Sequence, residues 1–451
     1  MWARQEKRRG NNKIWESEKE DRDCSCRQLA YLLEDTLDLG LKGNTVHRTG
    51  RGILFHTYKL GLSPSYFIVN MRLMHIIQRY RTEPLIILCK ILICWKGGDI
   101  TMNKVFAWMV SAGVPLSVIG SFLHWPAVLM FAVYCLTIIA LASYMGRATE
   151  SLAIVAGPRI GGLLNATFGN AVELIISIFA LKAGLVEVVL ASLTGSVLGN
   201  LLLVAGLSFF VGGLKYKRQE FNVYDARHNA GLLTFAILVA FVIPEVFTMN
   251  MSSQEKLSLS VGISIIMIVL YLAALYFKLV THRGVYQQKS DVLEEHEEPE
   301  WTRGKAVWIL ALATVAVAYI SERLVHTFET VAESFGWSEL FIGIIIVAIV
   351  GNAAEHASAV IMAYKNKMNV AVEIAIGSTL QIAMFVAPVL VLVSLLFPEK
   401  MPLVFSLPEL IAMATSVLLT IVLSNDGDTN WFEGATLLAA YTIMGIGFYL
   451  L

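Results

Sequence analysis

From residue 104 onward the chain is a succession of apolar runs, each about as long as a bilayer is thick. Eleven can be counted, at approximately 104–122, 126–145, 157–183, 186–211, 229–247, 256–280, 305–324, 338–364, 369–396, 404–424 and 432–451. A hydrocarbon core about 30 Å thick needs about 20 apolar residues per helical crossing. Turn and charge signals separate the runs, among them Pro126, Gly146 with Arg147, Lys215 to Arg218, Pro398 to Lys400, and Asp426 to Asp428. In lipid each backbone polar group must be satisfied within its own segment, so runs of this length are read as helices. The expected fold is an all-α polytopic membrane protein with about eleven transmembrane helices.

Composition agrees. The 451 residues are 56% hydrophobic and only 16% charged, with a mean hydropathy of +0.64. Ordinary soluble domains carry about 25% charged residues. The formal charge of zero hides a split: residues 1–100 hold 17 Lys and Arg against 11 Asp and Glu, and the rest is correspondingly acidic. Outside that first segment no basic stripe survives, so membrane lipid is the expected partner and nucleic acid is not. A homo-oligomer is compatible with such a chain. Five cysteines in a chain of this length exclude a disulfide scaffold.

The loops on the N-terminal side of the bundle hold fourteen Lys and Arg, and the opposite loops four. The positive-inside rule then puts the N-terminus of the bundle in the cytoplasm. Eleven crossings put the C-terminus outside, in a multi-pass protein of the cell (plasma) membrane.

Residues 1–101 read differently. They are basic, carry Cys24, Cys26, Cys89 and Cys94, and contain no run long enough to span; the best, Pro84 to Trp95, is interrupted by Lys90. No signal-peptide architecture is present. Two readings stand: a disordered cytosolic extension, or a start assigned upstream of a true one at Met102. The second follows from Lys96, Gly97, Gly98 and Asp99, which a purine-rich ribosome-binding sequence would encode if translated. The expected organisation is an extension over 1–101, a first transmembrane helix over 102–125, five helices over 126–280, an acidic cytoplasmic loop over 281–304, and five more helices over 305–451.

Those two sets of five repeat each other. Gly169, Asn170, Ala171, Val172 and Glu173 recur as Gly351, Asn352, Ala353, Ala354 and Glu355, at an offset of 182. At the same offset Gly195, Ser196, Val197 and Leu198 match Gly377, Ser378, Thr379 and Leu380. Five helices per half is an odd number, so the second half enters from the opposite face. The halves are inverted repeats plus one extra N-terminal helix. In such folds the substrate site lies near the midplane, where helices break and expose carbonyls. Gly169 and Gly351 sit where such breaks are expected.

The repeat carries chemistry. Glu173 and Glu355 lie deep in apolar runs, where a charge costs at least about 2.5–3.5 kcal/mol on insertion scales. Asn170 and Asn352 each precede their Glu by three residues and share its helix face. Two carboxylates, amide oxygens, carbonyls and the Ser196 and Ser378 hydroxyls make an all-oxygen set suited to a hard cation. Two carboxylates neutralise one Ca²⁺. With no cation bound they cannot both stay ionised in a low dielectric, so they take up protons. Cation and proton then compete for one site.

The two motifs resemble the α-repeats of the calcium/cation antiporter superfamily, and specifically its cation/proton exchanger (CAX) family. Gly-Asn-Ala-x-Glu in both halves is that family's form, and His356 directly after the second Glu fits it. Sodium/calcium exchangers favour a Gly-Thr-Ser-x-Pro-Glu/Asp form, absent from this chain. The resemblance covers about 102–451. It implies Ca²⁺/H⁺ antiport by alternating access, exporting Ca²⁺, with Glu173 and Glu355 carrying cation and protons and no cofactor. Gly169, Asn170, Ser196, Gly351, Asn352, His356, Ser378 and Gln381 would support the site. Gln381 has Gly199 as its symmetric counterpart, with Asn200 one residue on, and Gln381 is preferred to Asn200. The acidic stretch 291–300, with Glu294, Glu295, Glu297 and Glu298, resembles the family's acidic segment and is a regulatory candidate.

Plainer roles stand beside these. The asparagines could cap helix breaks, the serines could be small packing residues, His356 could be a satisfied bundle histidine, and 291–300 a solvated loop. Glu187, Glu245 and Glu409 read as vestibule or interface residues. Na⁺/Ca²⁺ exchange is the nearest rival activity. A cation channel would not need inverted halves with one Glu each. No nucleophile and base are placed together in a span, so an enzyme is not expected.

Overall fold

The computed structural model describes residues 98–282 and 298–451. The regulatory candidates Glu294, Glu295 and Glu297, and most of the extension over 1–101, lie outside the described residues. The chain divides between Trp95 and Lys96, and the helices below belong to the unit that begins at Lys96.

Among the described residues nine helices are long and apolar enough to cross a membrane. They are α1 (Gly98–Phe122), α2 (Ala127–Ala156), α5 (Val186–Lys215), α6 (Ala226–Thr248), α7 (Ser253–Thr281), α8 (Arg303–Val325), α10 (Glu339–Tyr364), α11 (Met368–Ser394) and α13 (Trp431–Leu450). The eleven runs are all helical. One of the two missing from the nine is α12 (Leu407–Leu423), of 17 residues. The other, 157–183, is broken into α3 (Pro158–Phe168) and α4 (Ala171–Lys182). A short helix, α9 (Phe328–Phe335), joins α8 to α10.

The break between α3 and α4 falls at Gly169 and Asn170, where the repeat leads one to expect it. Its counterpart does not break. Gly351 lies inside the continuous helix Ala348–Tyr364. The distortion in that half comes earlier, as a π-helical turn over Ile342–Val347. Gly351 serves instead as a gap: a Cβ there would lie 2.7 Å from Glu173 Cγ. A helix can hold that gap without giving up its hydrogen bonds. Two further π turns fall at equivalent places, Gly199–Val204 in α5 and Ile382–Val386 in α11. Each comes just after its half's Gly-Ser motif, and π turns of this kind gather at functional sites.

Helices α5 and α11 form the centre. Both are largely buried by their neighbours, whereas α1 is mostly exposed and presents Trp108 and Phe122 on its surface. Close backbone packing fixes the frame. A Cβ at Gly434 would strike the backbone of Phe210, and one at Gly213 the backbone of Trp431, so α5 and α13 cross with nothing larger than glycine between them. Beyond the helix ends, β1 (Gln219–Glu220) pairs antiparallel with β2 (Asp428–Thr429), and Gln219 Nε2 donates to Ala363 O at 2.9 Å and Asn366 Oδ1 at 2.9 Å.

Candidate functional site

The break delivers the C-terminus of α3 and the N-terminus of α4 to one point between α5, α10 and α11. Glu173 sits in the first turn of α4, where a helix N-terminus favours a carboxylate. The end of α3 brings carbonyl groups that its own helix cannot satisfy. Gly169 lies against the other half: a Cβ there would be 3.2 Å from Glu355 Oε1 and 3.3 Å from Gln381 Oε1. The relation is reciprocal, because Gly351 lies against Glu173. Each half's glycine makes room for the other half's glutamate.

Hydrogen bonds cross between halves in the same way. Ser378 Oγ donates to Asn170 Oδ1 at 3.0 Å, and Asn352 Nδ2 donates to Ser196 Oγ at 3.0 Å. These are symmetry equivalents at the offset of 182. The structure thus gathers Gly169, Asn170, Glu173, Ser196, Gly351, Asn352, Glu355, Ser378 and Gln381 around one centre. His356 is next to it, with its ring across from Gly199: a Cβ at that glycine would be 3.7 Å from His356 Cε1.

Asn200 is the residue that sequence reasoning ranks too low. It is 1% exposed and donates through Nδ2 to Ser378 Oγ at 3.1 Å. Its counterpart at the same offset is Ile382, which can make no such bond. The signal available for it is its place at the start of a π turn, just after the Gly-Ser motif. Asn200 also breaks the symmetry of the asparagines. Ser378 Oγ accepts from Asn200 and in turn faces both Asn170 Oδ1 and the Glu355 carboxylate, so Asn170 Oδ1 is engaged. Asn352 Nδ2 is spent on Ser196 and on Ala348 O at 3.0 Å, and its Oδ1 has no partner. Asn352 offers a free oxygen; Asn170 does not.

Both carboxylate oxygens of Glu173, Glu355 Oε2 and His356 Nε2 are likewise buried without a hydrogen-bond partner. Glu173 is 6% exposed, and Glu355 is half-buried. The two glutamates are close enough for the charge of one to bear on the other. Buried polar atoms normally find partners, and a cluster left without them is a place to look for a ligand. Among the described residues no three His, Cys, Asp or Glu side chains gather at one point. A cation here would be balanced by two carboxylates and otherwise met by neutral oxygens, the hard-ligand set of Ca²⁺.

Other candidate acids fall elsewhere. Glu409 is 4% exposed but fully engaged: Oε2 accepts from Ser406 N at 2.9 Å and Ser406 Oγ at 2.7 Å, and Oε1 accepts from Thr194 at 3.1 Å. It is a helix cap. Glu187 and Glu298 are exposed. At the end of the acidic stretch Glu300 pairs with Arg147, whose guanidinium lies over the rings of Trp301 and Tyr144.

Residues 126–280 and 305–450 match the family described as sodium/calcium exchanger protein. The chain is 76% identical over 351 residues to the Ca²⁺/H⁺ antiporter ChaA of Bacillus subtilis (strain 168), covering 78% of this chain and 100% of that protein. It is similar to the solved structure of native YfkE, with a TM-score of 0.69 and 71% identity over 77% of this chain and 100% of that one. The crystal structure of the H⁺/Ca²⁺ exchanger CAX shares the fold, with a TM-score of 0.59 at 17% identity, over 78% of this chain and 93% of that one.

Proposed function

The chain belongs to the sodium/calcium exchanger protein family, a family of membrane transporters, and from that premise we propose that it exchanges Ca²⁺ for protons across the cell membrane by alternating access. The observation that carries the reading is the centre where the repeats cross, where both Glu173 carboxylate oxygens, Glu355 Oε2 and the Asn352 amide oxygen are buried without partners. Glu173 and Glu355 would hold Ca²⁺ as carboxylates, with Asn352 Oδ1, Gln381, Ser196 and carbonyls at the end of α3 completing an oxygen shell. When the cation leaves, the same two side chains take protons, because a pair of bare charges cannot persist in a low dielectric. One site that is always neutralised, by one Ca²⁺ or by protons, ties the two fluxes together.

An inward proton gradient sets the direction as Ca²⁺ out and protons in. The basic loops support a cytoplasmic N-terminus for the bundle and an outer C-terminus. No cofactor enters this scheme. The acidic stretch, with Glu294, Glu295, Glu297 and Glu298, would tune transport from the cytoplasmic side.

The test is Ca²⁺ flux in proteoliposomes. A pH gradient imposed without sodium should drive Ca²⁺ movement, and a sodium gradient at matched pH should not. Flux that needs sodium and ignores the pH gradient would replace this reading with Na⁺/Ca²⁺ exchange.

A further inference from the structure

The two halves of the molecule have matching sequences but do not pack alike. At the offset of 182, Ile160 and Gly161 of α3 correspond to Ile342 and Gly343 of α10, Gly162 to Ile344, Gly195 to Gly377, and Ala191 to Glu373. In one half the equivalent segments are in contact. A Cβ at Gly343 would lie 2.7 Å from Val188 O and 3.1 Å from Ser192 N, and one at Gly195 would strike the backbone of Ile344. There α10 and α5 meet backbone to backbone, which leaves no passage.

In the other half the same glycines are apart. A Cβ at Gly377 would meet nothing within 4 Å. Gly161 is turned to its own preceding helix instead, where a Cβ would lie 2.7 Å from Ala153 O, and a Cβ at Gly162 would lie 2.7 Å from Leu279 Cδ2. Beside Leu279, Lys278 Nζ pairs with Glu373 Oε1 at 2.6 Å. Lys278 and Leu279 both belong to the π turn Phe277–Thr281 at the end of α7. That turn therefore touches α3 with one residue and α11 with the next, and Glu373 is the counterpart of the alanine on which Gly343 rests.

We propose that Gly377 is the seat on which α3 docks, through Gly161 and Gly162, in the opposite access state, and that the end of α7 is the wedge that holds α3 off that seat in the state seen here. Inverted repeats supply the reason: in the opposite state each half takes the arrangement the other shows now. Docking α3 on Gly377 closes its side of the membrane as α10 on Gly195 closes the other. To get there Leu279 must leave Gly162 and Lys278 must release Glu373. The glycines are positioning residues; none needs to touch Ca²⁺. The inference rests on the alternating-access reading above.

The test uses Gly377→Leu in the full chain. The space around Gly377 admits the side chain, so the protein should fold and bind Ca²⁺ within about threefold of wild type. Overpacking of the docked state should lower exchange by about 100-fold. Gly447→Leu, at an exposed glycine that also meets nothing within 4 Å, should exchange normally. Lys278→Gln and Glu373→Gln remove a half-exposed pair and should each shift the balance of states only about two- to fivefold, with no further change in the double variant. Independently of transport, cysteines at Gly162 and Gly377, with the five natural cysteines replaced by serine, should form a disulfide on oxidation. Its yield should rise when Lys278→Gln is added. Normal exchange by Gly377→Leu, or absence of that disulfide in protein that still exchanges, would overturn the docking proposal and leave the exchange reading intact. If wild type itself shows no proton-driven Ca²⁺ flux the exchange reading fails, and the disulfide still decides whether α3 reaches Gly377.

Discussion

Replacing Gly351 by alanine should separate the affinity of the site from the stability of the fold. A Cβ at Gly351 would lie 2.7 Å from Glu173 Cγ and 3.2 Å from its Cδ, whereas ordinary contact begins at 3.4 Å, so the glutamate stem must retreat by about 0.7 Å. Glu173 is 6% exposed and cannot swing into solvent to make room. Overpacking of this kind typically costs about 1–3 kcal/mol, which corresponds to a Ca²⁺ Kd raised by about 5- to 150-fold if the strain falls on the liganded geometry. The backbone effect runs the other way. Gly351 is interior to a continuous helix, where alanine is favoured over glycine by about 0.5–1 kcal/mol. The expected result is therefore a weaker Kd by isothermal titration with an unchanged or higher melting temperature in the absence of Ca²⁺. An unchanged Kd would refute the account of Gly351 as the space that seats Glu173. A lowered melting temperature together with the weaker Kd would show that the strain is carried by the fold and not by the site.

Glu173→Gln and Glu355→Gln should each abolish exchange with folding and insertion intact, since each removes a proton carrier and a charged ligand together; flux above background in vesicles from either variant would contradict the assignment. Asn352→Ala should weaken Ca²⁺ binding more than Asn170→Ala, because only Asn352 has an uncommitted Oδ1, and both should be milder than either Glu→Gln; equal losses would mean the amides are held for packing. Neutralising 291–300 should leave exchange running with a shifted response to cytoplasmic Ca²⁺ or pH, and complete loss of flux would place the segment in the pathway. Acidifying both sides of the membrane should lower apparent Ca²⁺ affinity, since Ca²⁺ requires the carboxylates ionised and protons occupy the same oxygens; an affinity flat across symmetric pH values would mean protons are carried elsewhere.

The eleven helical runs and the gathering of the repeat residues are legible in the sequence for a simple reason. Span length follows from bilayer thickness, and a polar residue at midplane stands out because every neighbour is apolar. Two copies of Gly-Asn-Ala-x-Glu in register therefore point at one centre before any geometry is known. Gly351 misleads for an equally physical reason. A glycine in a transmembrane helix can relieve backbone strain, or it can simply leave room, and the letter is the same. At Gly169 the chain turns; at Gly351 the helix runs through and the missing Cβ is filled by Glu173. Which outcome occurs depends on a side chain 178 residues away in sequence. Asn200 is easily underrated because its value lies in one hydrogen bond to Ser378, and pairwise offsets that assume symmetry pass over a residue with no counterpart.

The access state is a different matter, because an inverted repeat does not encode one. If both halves carried identical residues, the two ways of packing α3 and α10 would be equal in energy, and no reading of the motifs could choose between them. The choice must come from positions where the halves differ. Three such positions lie in the segments that pack there. Gly162 stands where the other half has Ile344, Glu373 where it has Ala191, and Arg227 where it has Glu409. The first leaves α3 with less apolar surface to bury on its seat than α10 has on Gly195. The second gives Lys278 an ion-pair partner that holds α7 between the helices. The third gives α12 a buried cap that fastens to Thr194 on α5, while Arg227 donates outward to Asn425 O at 2.8 Å. All three favour the half that contains Gly195 as the closed one. A transporter must not be committed too far, since each kcal/mol of bias costs about fivefold in the population of the minor state. Differences confined to a glycine, a half-exposed ion pair and a helix cap are small enough to tilt the equilibrium and still let a bound cation or proton reverse it.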